Sequence, residues 1–274
     1  MKPIITVAEL SEIYKNQDVI IADVSNGVDA YENYKYSHLE NAVFVDLNKN
    51  LAAVGDPRLG GRHPLPDLKD FLTTVSNLGI HPDSRVVCYD NHFGANAAAR
   101  FWWMLKAIGH QNVQVLDGGF QKAVALHFPL SEVIPNTTIS KSYAVSVWQL
   151  PQVDLDDMRK AVEDPNCLIL DVREEKRYNG IYEPIDAIAG HIPGALNVPY
   201  QLNLDPDGNF KQPEALAKMY QQLLGNHDNK KIIVHCGSGV TACHTLLAFD
   251  LAGMQIPSLY VGSWSEWSRN QLPC

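Results

Sequence analysis

The chain has 274 residues, of which 46% are hydrophobic and 19% are charged, and its formal net charge is −9. This composition predicts a globular protein, and the length exceeds the roughly 100–150 residues of a common single domain. The acidic balance excludes a typical nucleic-acid surface, and no apolar stretch is long enough to span a membrane. The five cysteines lack zinc-ligand spacing, so we expect no metal site and a free thiol in a reducing cytoplasm.

The first half of the chain alternates between predicted strands and helices. The segment 20–27 begins with an apolar strand that ends at Asp23. The segment 34–47 contains a small-residue turn and then a short strand. Residues 85–123 then read as strand, loop, helix and strand, and we expect Cys88 in the first of these strands to pack in the core. This alternation is typical of a parallel sheet with helical crossovers.

The second half repeats the pattern of the first. Residues 168–175 form an apolar strand that again ends in Asp-Val, and residues 189–200 contain a His and a small-residue turn before another strand. Residues 231–267 repeat the order strand, loop, helix, strand and glycine turn. A repeat this long indicates a duplicated domain and not a solenoid.

The repeat predicts two tandem α/β domains. We assign residues 1–130 to the first domain and residues 150–274 to the second, with residues 131–149 as a polar linker. Alignment of the two halves places Asp90 opposite Cys236. Because a carboxylate cannot replace a thiol, we expect the first domain to be catalytically silent and to form one wall of a site at the domain interface.

The stretch 232–249 carries the strongest chemical signal. An apolar strand ends at His235-Cys236, and a helical pattern begins at Val240. Loop amides and the positive end of a helix favour the thiolate form of a cysteine, which is the nucleophile. We expect the two loop glycines to allow positive φ, so that the backbone closes around the sulfur. The loop residues predicted to surround this sulfur are Gly237, Ser238, Gly239, Val240 and Thr241.

Other interpretations of this loop are less consistent with the residues. A cysteine phosphatase needs an Arg six positions after the Cys, and position 242 is Ala. The run 237–242 also fits G-x-G-x-x-A of dinucleotide-binding folds, but no acidic residue follows near Tyr260 to bind a ribose. A purely structural cysteine does not explain the flanking glycines and the helix start.

The run Cys-Gly-Ser-Gly-Val-Thr-Ala at 236–242 resembles the active-site loop of the rhodanese-type sulfurtransferases, in particular the mercaptopyruvate sulfurtransferase subgroup. The segment HIPGALNVP at 191–199 and Gly-Ser-Trp-Ser-Glu-Trp at 262–267 are also similar to that family. The resemblance covers nearly the whole chain. It implies two rhodanese-like domains, each a mainly parallel sheet flanked by helices, with an active C-terminal domain.

The resemblance also implies a chemistry. Cys236 takes sulfane sulfur from 3-mercaptopyruvate or thiosulfate as a persulfide and passes it to a thiophilic acceptor. The acceptors considered are cyanide, a small thiol and a reduced thioredoxin-like protein, and no metal or organic cofactor is needed. Arg177 matches the family Arg that binds the carboxylate or sulfonate of the donor. We expect Arg173 to make structural contacts within its loop.

The sequence departs from the subgroup at the donor site. Mercaptopyruvate enzymes carry a second Arg in a Glu-Pro-Arg-Asp context, and this chain has Ile185 there, which makes thiosulfate a competing donor. Arg62 or Arg58 is a candidate replacement, and we favour Arg62. His63 matches a family His near the cysteine, where it relays a proton to the leaving enolate. Asn48 stands where some members have the acidic residue of a triad.

Two alternatives to a mercaptopyruvate enzyme remain open. One is an enzyme whose main donor is thiosulfate, because of the missing Arg. The other is a non-catalytic sulfur-carrier or regulatory module, as some rhodanese domains have become. The intact Cys236, the loop glycines and Arg177 favour an enzyme over such a module.

Overall fold

A computed structural model of the chain describes residues 1–141, 143–225 and 230–274. The chain divides into two compact units. Unit 1 comprises Met1–Ala52 and Pro66–Gln149, and unit 2 comprises Ala53–Leu65 and Leu150–Cys274. Each unit is built on a five-stranded sheet with helices against it. The prediction of two α/β domains with mainly parallel sheets is confirmed.

Unit 1 has the sheet order β1-β6-β5-β2-β4, and all four neighbouring strand pairs are parallel. A separate short antiparallel pair joins β3 to β7. The elements are β1 Ile4–Ile5, α1 Val7–Ile13, β2 Val19–Asp23, α2 Ala30–Tyr36, β3 His38–Leu39, β4 Ala42–Phe44, α3 Leu47–Asn50, α4 Leu68–Asn77, β5 Arg85–Tyr89, α5 Ala97–Ala107, β6 Val113–Leu116, α6 Gly119–Ala125 and β7 Leu130–Ser131.

Unit 2 has the same arrangement, with the sheet order β10-β9-β11-β12-β8 and parallel pairing throughout. Short 3₁₀ helices cover Tyr200–Asn203 and Ser268–Asn270. The other elements are β8 Gln152–Val153, α7 Leu155–Glu163, β9 Cys167–Asp171, α8 Glu175–Tyr178, β10 Leu196–Asn197, α9 Pro213–Leu224, β11 Lys231–His235, α10 Ala242–Leu251, β12 Ser258–Tyr260 and α11 Ser263–Trp267.

The central strands are apolar because both of their faces are covered by other parts of the unit. In β5 the last four residues are buried, and the thiol of Cys88 lies in the core as predicted. The pairing register is the same in both units, since Asp23 of β2 lies opposite Tyr89 and Asp171 of β9 lies opposite His235. The two strand-end aspartates therefore occupy equivalent positions at the carboxyl edges of their sheets.

The bounds of the two units differ from the predicted domain bounds in two segments. Residues 131–149, predicted as a linker, belong to unit 1, where Gln149 N–H donates to the Ala107 carbonyl at 2.7 Å. Ser142 of that segment lies outside the described residues. Residues 53–65, predicted within the first domain, group with unit 2. Polar composition predicted residues 131–149 as a linker, but composition does not reveal where the backbone hydrogen bonds of a segment are made.

Four tryptophan side chains pack in the interiors of the two units. Trp102 and Trp103 of α5 are fully buried in unit 1. Trp264 and Trp267 of α11 are at most 2% exposed in unit 2. Among the helices in the described ranges, none combines the length and apolar character required to cross a membrane.

Candidate functional site

Cys236 follows β11, the middle strand of the unit 2 sheet, and precedes the loop that leads into α10. Its side chain is almost completely buried, with 3% exposure. Ligands of open α/β sheets bind beyond the carboxyl ends of the strands, which is where this residue lies. The cysteine also lines a cavity of about 210 Å³. The residues of this cavity that matter for the chemistry are Arg173, Arg177, Tyr182, Ile185, Cys236, Gly237 and Thr241.

The loop after Cys236 is fixed by hydrogen bonds to the start of α11. The carbonyl oxygen of Cys236 accepts from Trp264 N–H at 3.0 Å, and that of Gly237 accepts from Ser265 N–H at 2.9 Å. These bonds direct the two carbonyls toward α11. Within the described residues, the amides of Ser238 and Thr241 donate to no protein acceptor. The loop therefore keeps N–H groups available for an anion.

The two loop glycines have different roles, which the sequence did not distinguish. Gly239 has φ +72°, and a Cβ there would collide with the carbonyl oxygen of Val261. Gly237 does not have positive φ, contrary to expectation. A Cβ at Gly237 would instead lie 3.1 Å from Nη2 of Arg62 and 3.4 Å from Nη2 of Arg177. Gly237 is thus small because two guanidinium groups approach it.

The equivalent loop of unit 1 holds an anion. Asp90 follows β5, as Cys236 follows β11, and its side chain is fully buried. Its two carboxylate oxygens accept four backbone N–H groups at 2.8–3.0 Å, from His92, Gly94, Asn96 and Ala98. The strand–loop–helix arrangement can therefore stabilise a negative charge at this position without a basic side chain.

Arg177 lies at the cavity with its guanidinium group held by carboxylates. It bonds Glu183 through Nε at 3.1 Å and through Nη2 at 2.7 Å, and its Nη2 lies 3.5 Å from Asp186. The Arg177 side chain is 15% exposed, so the guanidinium group is only partly accessible. Bidentate pairing of this kind fixes the orientation of an arginine before any ligand arrives.

Asp186 joins Arg62 to the same cluster. Its carboxylate is fully buried and forms an ion pair with Nη1 of Arg62. Arg269 from the 3₁₀ helix at 268–270 bonds the same oxygen at 2.7 Å. Neither Asp186 nor Arg269 was singled out from the sequence. The Glu-Pro-x-Asp spacing was the available signal, because it placed Asp186 beside Glu183.

The segment 53–65 carries Arg62 and His63 to the site. Gly60 N–H donates to Glu266 at 2.7 Å, and Arg62 N–H donates to Ser265 Oγ at 3.0 Å. Nδ1 of His63 then lies 2.8 Å from Oγ of Ser238. Because this segment groups with unit 2, the contacts of Arg62 and His63 are made within one unit and not across a domain interface.

The other residues predicted for the site lie outside the lining of the cavity. Among the described residues, the cavity lining does not include Arg62, His63, Ser238, Gly239 or Val240. Arg58 pairs with Asp56 on the surface, and this favours Arg62 over Arg58 as the nearby cation. Asn48 belongs to α3 of unit 1, where its N–H donates to Asp46.

Arg173, which lines the cavity, forms a buried ion pair with Asp171. Arg173 bonds Asp171 through Nε at 3.0 Å and through Nη2 at 2.6 Å, which confirms its predicted structural contacts. Burial by itself raises the pKa of Asp171, but His235 and the Arg173 guanidinium outweigh it, and the pKa is lowered. Burial lowers the pKa of His235, the residue before Cys236. The Arg173 guanidinium also lies 4.8 Å from the centre of the Trp264 ring.

Comparison with known proteins agrees with this architecture. The rhodanese-like domain family matches the chain twice, over residues 6–126 and 154–270. A probable 3-mercaptopyruvate sulfurtransferase from Pseudomonas aeruginosa is 35% identical over 273 residues, which cover 96% of this chain and 94% of that protein. A thiosulfate sulfurtransferase from Rattus norvegicus is 32% identical over 248 residues, which cover 89% and 82% of the two chains.

A solved structure gives the same result. The 3-mercaptopyruvate sulfurtransferase from Leishmania major is similar with a TM-score of 0.85 and 27% identity, over 98% of this chain and 75% of that one. The duplicated parallel sheets and the cysteine loop at a strand end are thus found in a chain whose relatives are sulfurtransferases. The protein belongs to the rhodanese family, and it carries two rhodanese-like domains in one chain.

Proposed function

We propose that the protein is a sulfurtransferase that moves sulfane sulfur from 3-mercaptopyruvate to a thiophilic acceptor through a persulfide on Cys236. The observation that carries this proposal is the position of Cys236. Cys236 lines a cavity together with Arg177, and it lies at the start of a loop in which, among the described residues, the amides of Ser238 and Thr241 donate to no protein acceptor. The names of the relatives from Pseudomonas aeruginosa and Leishmania major support the same donor.

In the first step the Cys236 thiolate attacks the sulfur of 3-mercaptopyruvate. A sulfur–sulfur bond forms and the carbon–sulfur bond of the donor breaks, so that its electron pair remains on the pyruvate fragment as an enolate. Arg177 binds the donor carboxylate, and Arg62 adds positive charge beside Gly237. The amides of the loop 237–241 stabilise the persulfide anion that remains on the enzyme.

The leaving enolate needs a proton, and we assign its supply to the hydrogen-bonded pair Ser238–His63. The two side chains lie 2.8 Å apart, which is within the range for proton transfer. Protonation gives pyruvate. In the second step a nucleophile such as cyanide or a thiol attacks the outer sulfur of the persulfide, and Cys236 leaves as a thiolate. The chemistry needs no metal or organic cofactor.

Thiosulfate is the second candidate donor, and Ile185 favours it. This side chain lines the cavity at the position where the subgroup carries a second Arg, and it is 55% exposed. An apolar group there cannot bind a carboxylate. Attack on thiosulfate breaks a sulfur–sulfur bond and releases sulfite, which needs no enolate protonation. Reduced thioredoxin-like proteins as acceptors and a cytoplasmic location stay predictions from the sequence.

Mass spectrometry of the intact protein tests the proposal. We expect incubation with 3-mercaptopyruvate or with thiosulfate to add one sulfur, about 32 Da, and we expect Cys236→Ser to gain nothing. Faster loading from 3-mercaptopyruvate supports it as the donor, and faster loading from thiosulfate supports the second candidate. No added sulfur from either donor would contradict the sulfurtransferase function and favour a non-catalytic sulfur-binding module.

A further inference from the structure

The carboxyl edge of the unit 1 sheet contains a second cavity, of about 280 Å³. It lies in the region of unit 1 that corresponds to the Cys236 cavity of unit 2. Ser25 of this lining is equivalent to Arg173, because each lies two residues after the strand-end Asp of its unit. Asn91 is equivalent to Gly237, because each directly follows the first residue after the middle strand. The duplicated domain has thus kept a cavity where it has lost the catalytic cysteine.

The strand-end aspartates of the two units differ in one respect. In unit 2, Asp171 is paired with the Arg173 guanidinium group at 2.6–3.1 Å. In unit 1 the corresponding residue is Ser25, which gives Asp23 only neutral hydrogen bonds, including one from Ser25 N–H at 2.9 Å. A further bond comes from the Tyr89 hydroxyl at 2.7 Å. Within the part of the chain that the structure describes, no Lys, Arg or His forms an ion pair with Asp23.

Asp23 is nevertheless buried, with 3% exposure, and it lines the cavity. Burial raises the pKa of this carboxyl, partly offset by the hydrogen bonds from Ser25 and Tyr89, as expected for an anion without a counter-charge. A buried carboxylate of this kind is costly unless a cation is nearby. Two oxygens with about four acceptor positions also leave room for another donor.

The rest of the cavity is suited to an apolar group next to a charge. Tyr34 and Phe120 contribute aromatic rings, and Asn33 contributes an amide. The described residues of the lining include no Lys, Arg or His. Aromatic faces attract organic cations, and anions gain nothing from such a surface. The cavity therefore has the opposite charge preference to that of the Cys236 cavity, which Arg173 and Arg177 line.

We propose that unit 1 binds a small organic cation, with an ammonium or guanidinium group against Asp23 and a short apolar body against Phe120 and Tyr34. The bound cation takes the place that the Arg173 side chain occupies against Asp171 in unit 2. The size of the cavity, at the lower end of the range for ligand sites, restricts the ligand to a molecule with few heavy atoms. The site is independent of sulfur transfer.

Calorimetric titration of the full chain with 2-phenylethylammonium tests this site, with neutral 2-phenylethanol and anionic phenylacetate as matched probes. We expect saturable binding of one cation per chain, at least tenfold tighter than either of the other two. This comparison needs no variant. No saturable binding at millimolar cation, or equal binding of the neutral probe, would overturn the proposal.

Two substitutions locate the site. Asp23→Asn removes the charge, and Ser25→Arg supplies the internal partner that unit 2 already has. We expect each to weaken cation binding at least tenfold. Asp29→Asn, which changes an exposed acid outside the lining, should leave binding unchanged. If Asp23→Asn does not fold, Ser25→Arg decides alone, and unchanged binding in that variant would refute the site. Sulfur loading on Cys236 should not change in Ser25→Arg.

Discussion

At the scale of single residues, the cluster of arginines that we propose as the donor site is organised around the buried carboxylate of Asp186. Arg62, Arg177 and Arg269 all approach it, so that one negative charge holds three guanidinium groups in place. Glu183 adds a second carboxylate on Arg177. An arginine that is fixed before the donor binds loses little side-chain entropy on binding. The two carboxylates therefore orient the cations and also reduce the net positive charge that the donor meets.

We expect Arg177→Ala to raise KM for 3-mercaptopyruvate by about 10- to 100-fold, which corresponds to a charge-assisted bond of roughly 1.5–3 kcal/mol. Arg62→Ala should raise it by less, since Arg62 lies beside the loop and outside the cavity lining. Steady-state kinetics with both donors measures these effects. Arg58→Ala, which removes an exposed arginine paired with Asp56, is the control. Unchanged KM values in Arg62→Ala would remove Arg62 from the donor site.

Ile185 offers a direct test of donor preference. Ile185→Arg should favour 3-mercaptopyruvate over thiosulfate by about tenfold in the ratio of kcat/KM values, because it restores a cation at the cavity for the carboxylate. Ile181→Arg introduces the same charge at an exposed position, 73% accessible, outside the lining. An equal change of preference in both variants would indicate a general charge effect and contradict a specific role for position 185.

The contact between Ser238 and His63 predicts a difference between the donors. Ser238→Ala should lower kcat with 3-mercaptopyruvate by about 100-fold or more, a common size for the loss of proton transfer. With thiosulfate the loss should be much smaller, because sulfite leaves without a proton. Single-turnover loading measured with each donor separates the two cases. Equal losses with both donors would assign Ser238 to the structure of the loop and not to protonation.

At the scale of secondary-structure elements, the catalytic loop depends on its contact with the segment between β12 and α11. Gly239 approaches Val261 so closely that no side chain fits, and the carbonyls of Cys236 and Gly237 are bonded to the amides of Trp264 and Ser265. The loop is therefore held in one conformation by an element that lies far along the chain.

Two glycine substitutions separate conformation from contact. Gly239 and Gly253 have nearly the same φ, +72° and +71°, but a Cβ at Gly253 meets nothing within 4 Å. Gly253→Ala should lower the free energy of unfolding by about 1 kcal/mol. Gly239→Ala should cost about 1–3 kcal/mol more and also slow sulfur loading. Urea unfolding and mass spectrometry provide the two measurements. Equal destabilisation would show that the Val261 contact does not constrain the loop.

At the scale of the whole molecule, duplication has given two units with one sheet topology and different side chains at equivalent positions. Asp90 and Cys236 follow equivalent strands, and each is buried at the start of a loop. In unit 1 the loop amides are permanently bonded to the Asp90 carboxylate. The anion site of unit 1 thus stabilises its own fold, while we propose that the site of unit 2 stabilises a reaction intermediate.

This difference predicts opposite effects for matched substitutions. Asp90→Ala should lower the free energy of unfolding by more than about 2 kcal/mol, since four buried amides lose a charged acceptor. Cys236→Ala should change stability by less than about 1 kcal/mol but abolish sulfur loading. Denaturant unfolding and mass spectrometry test both variants. Normal stability in Asp90→Ala, or sulfur on Cys236→Ala, would contradict the proposed division.

The sequence by itself determined the two α/β units, the strand–loop–helix–strand order that both of them repeat, and the place of Cys236 at a strand end. These features depend on short-range patterns, because apolar runs, glycines and strand-end aspartates determine local conformation whatever their distant neighbours are. The duplicated Asp-Val motif was also sufficient to align the two halves and to place Asp90 opposite Cys236.

Only the tertiary structure decided which distant groups meet. It grouped residues 53–65 with unit 2, brought Arg62 to Asp186, and showed that Gly237 is small because guanidinium groups approach it. Among the described residues, it also showed no cation paired with the buried Asp23, whereas Asp171 is paired with Arg173. Such contacts join residues that lie far apart in the sequence, or they depend on which residue occupies an equivalent position of the other unit. Their energy is set by burial and geometry, and neither is encoded in the local pattern of residues.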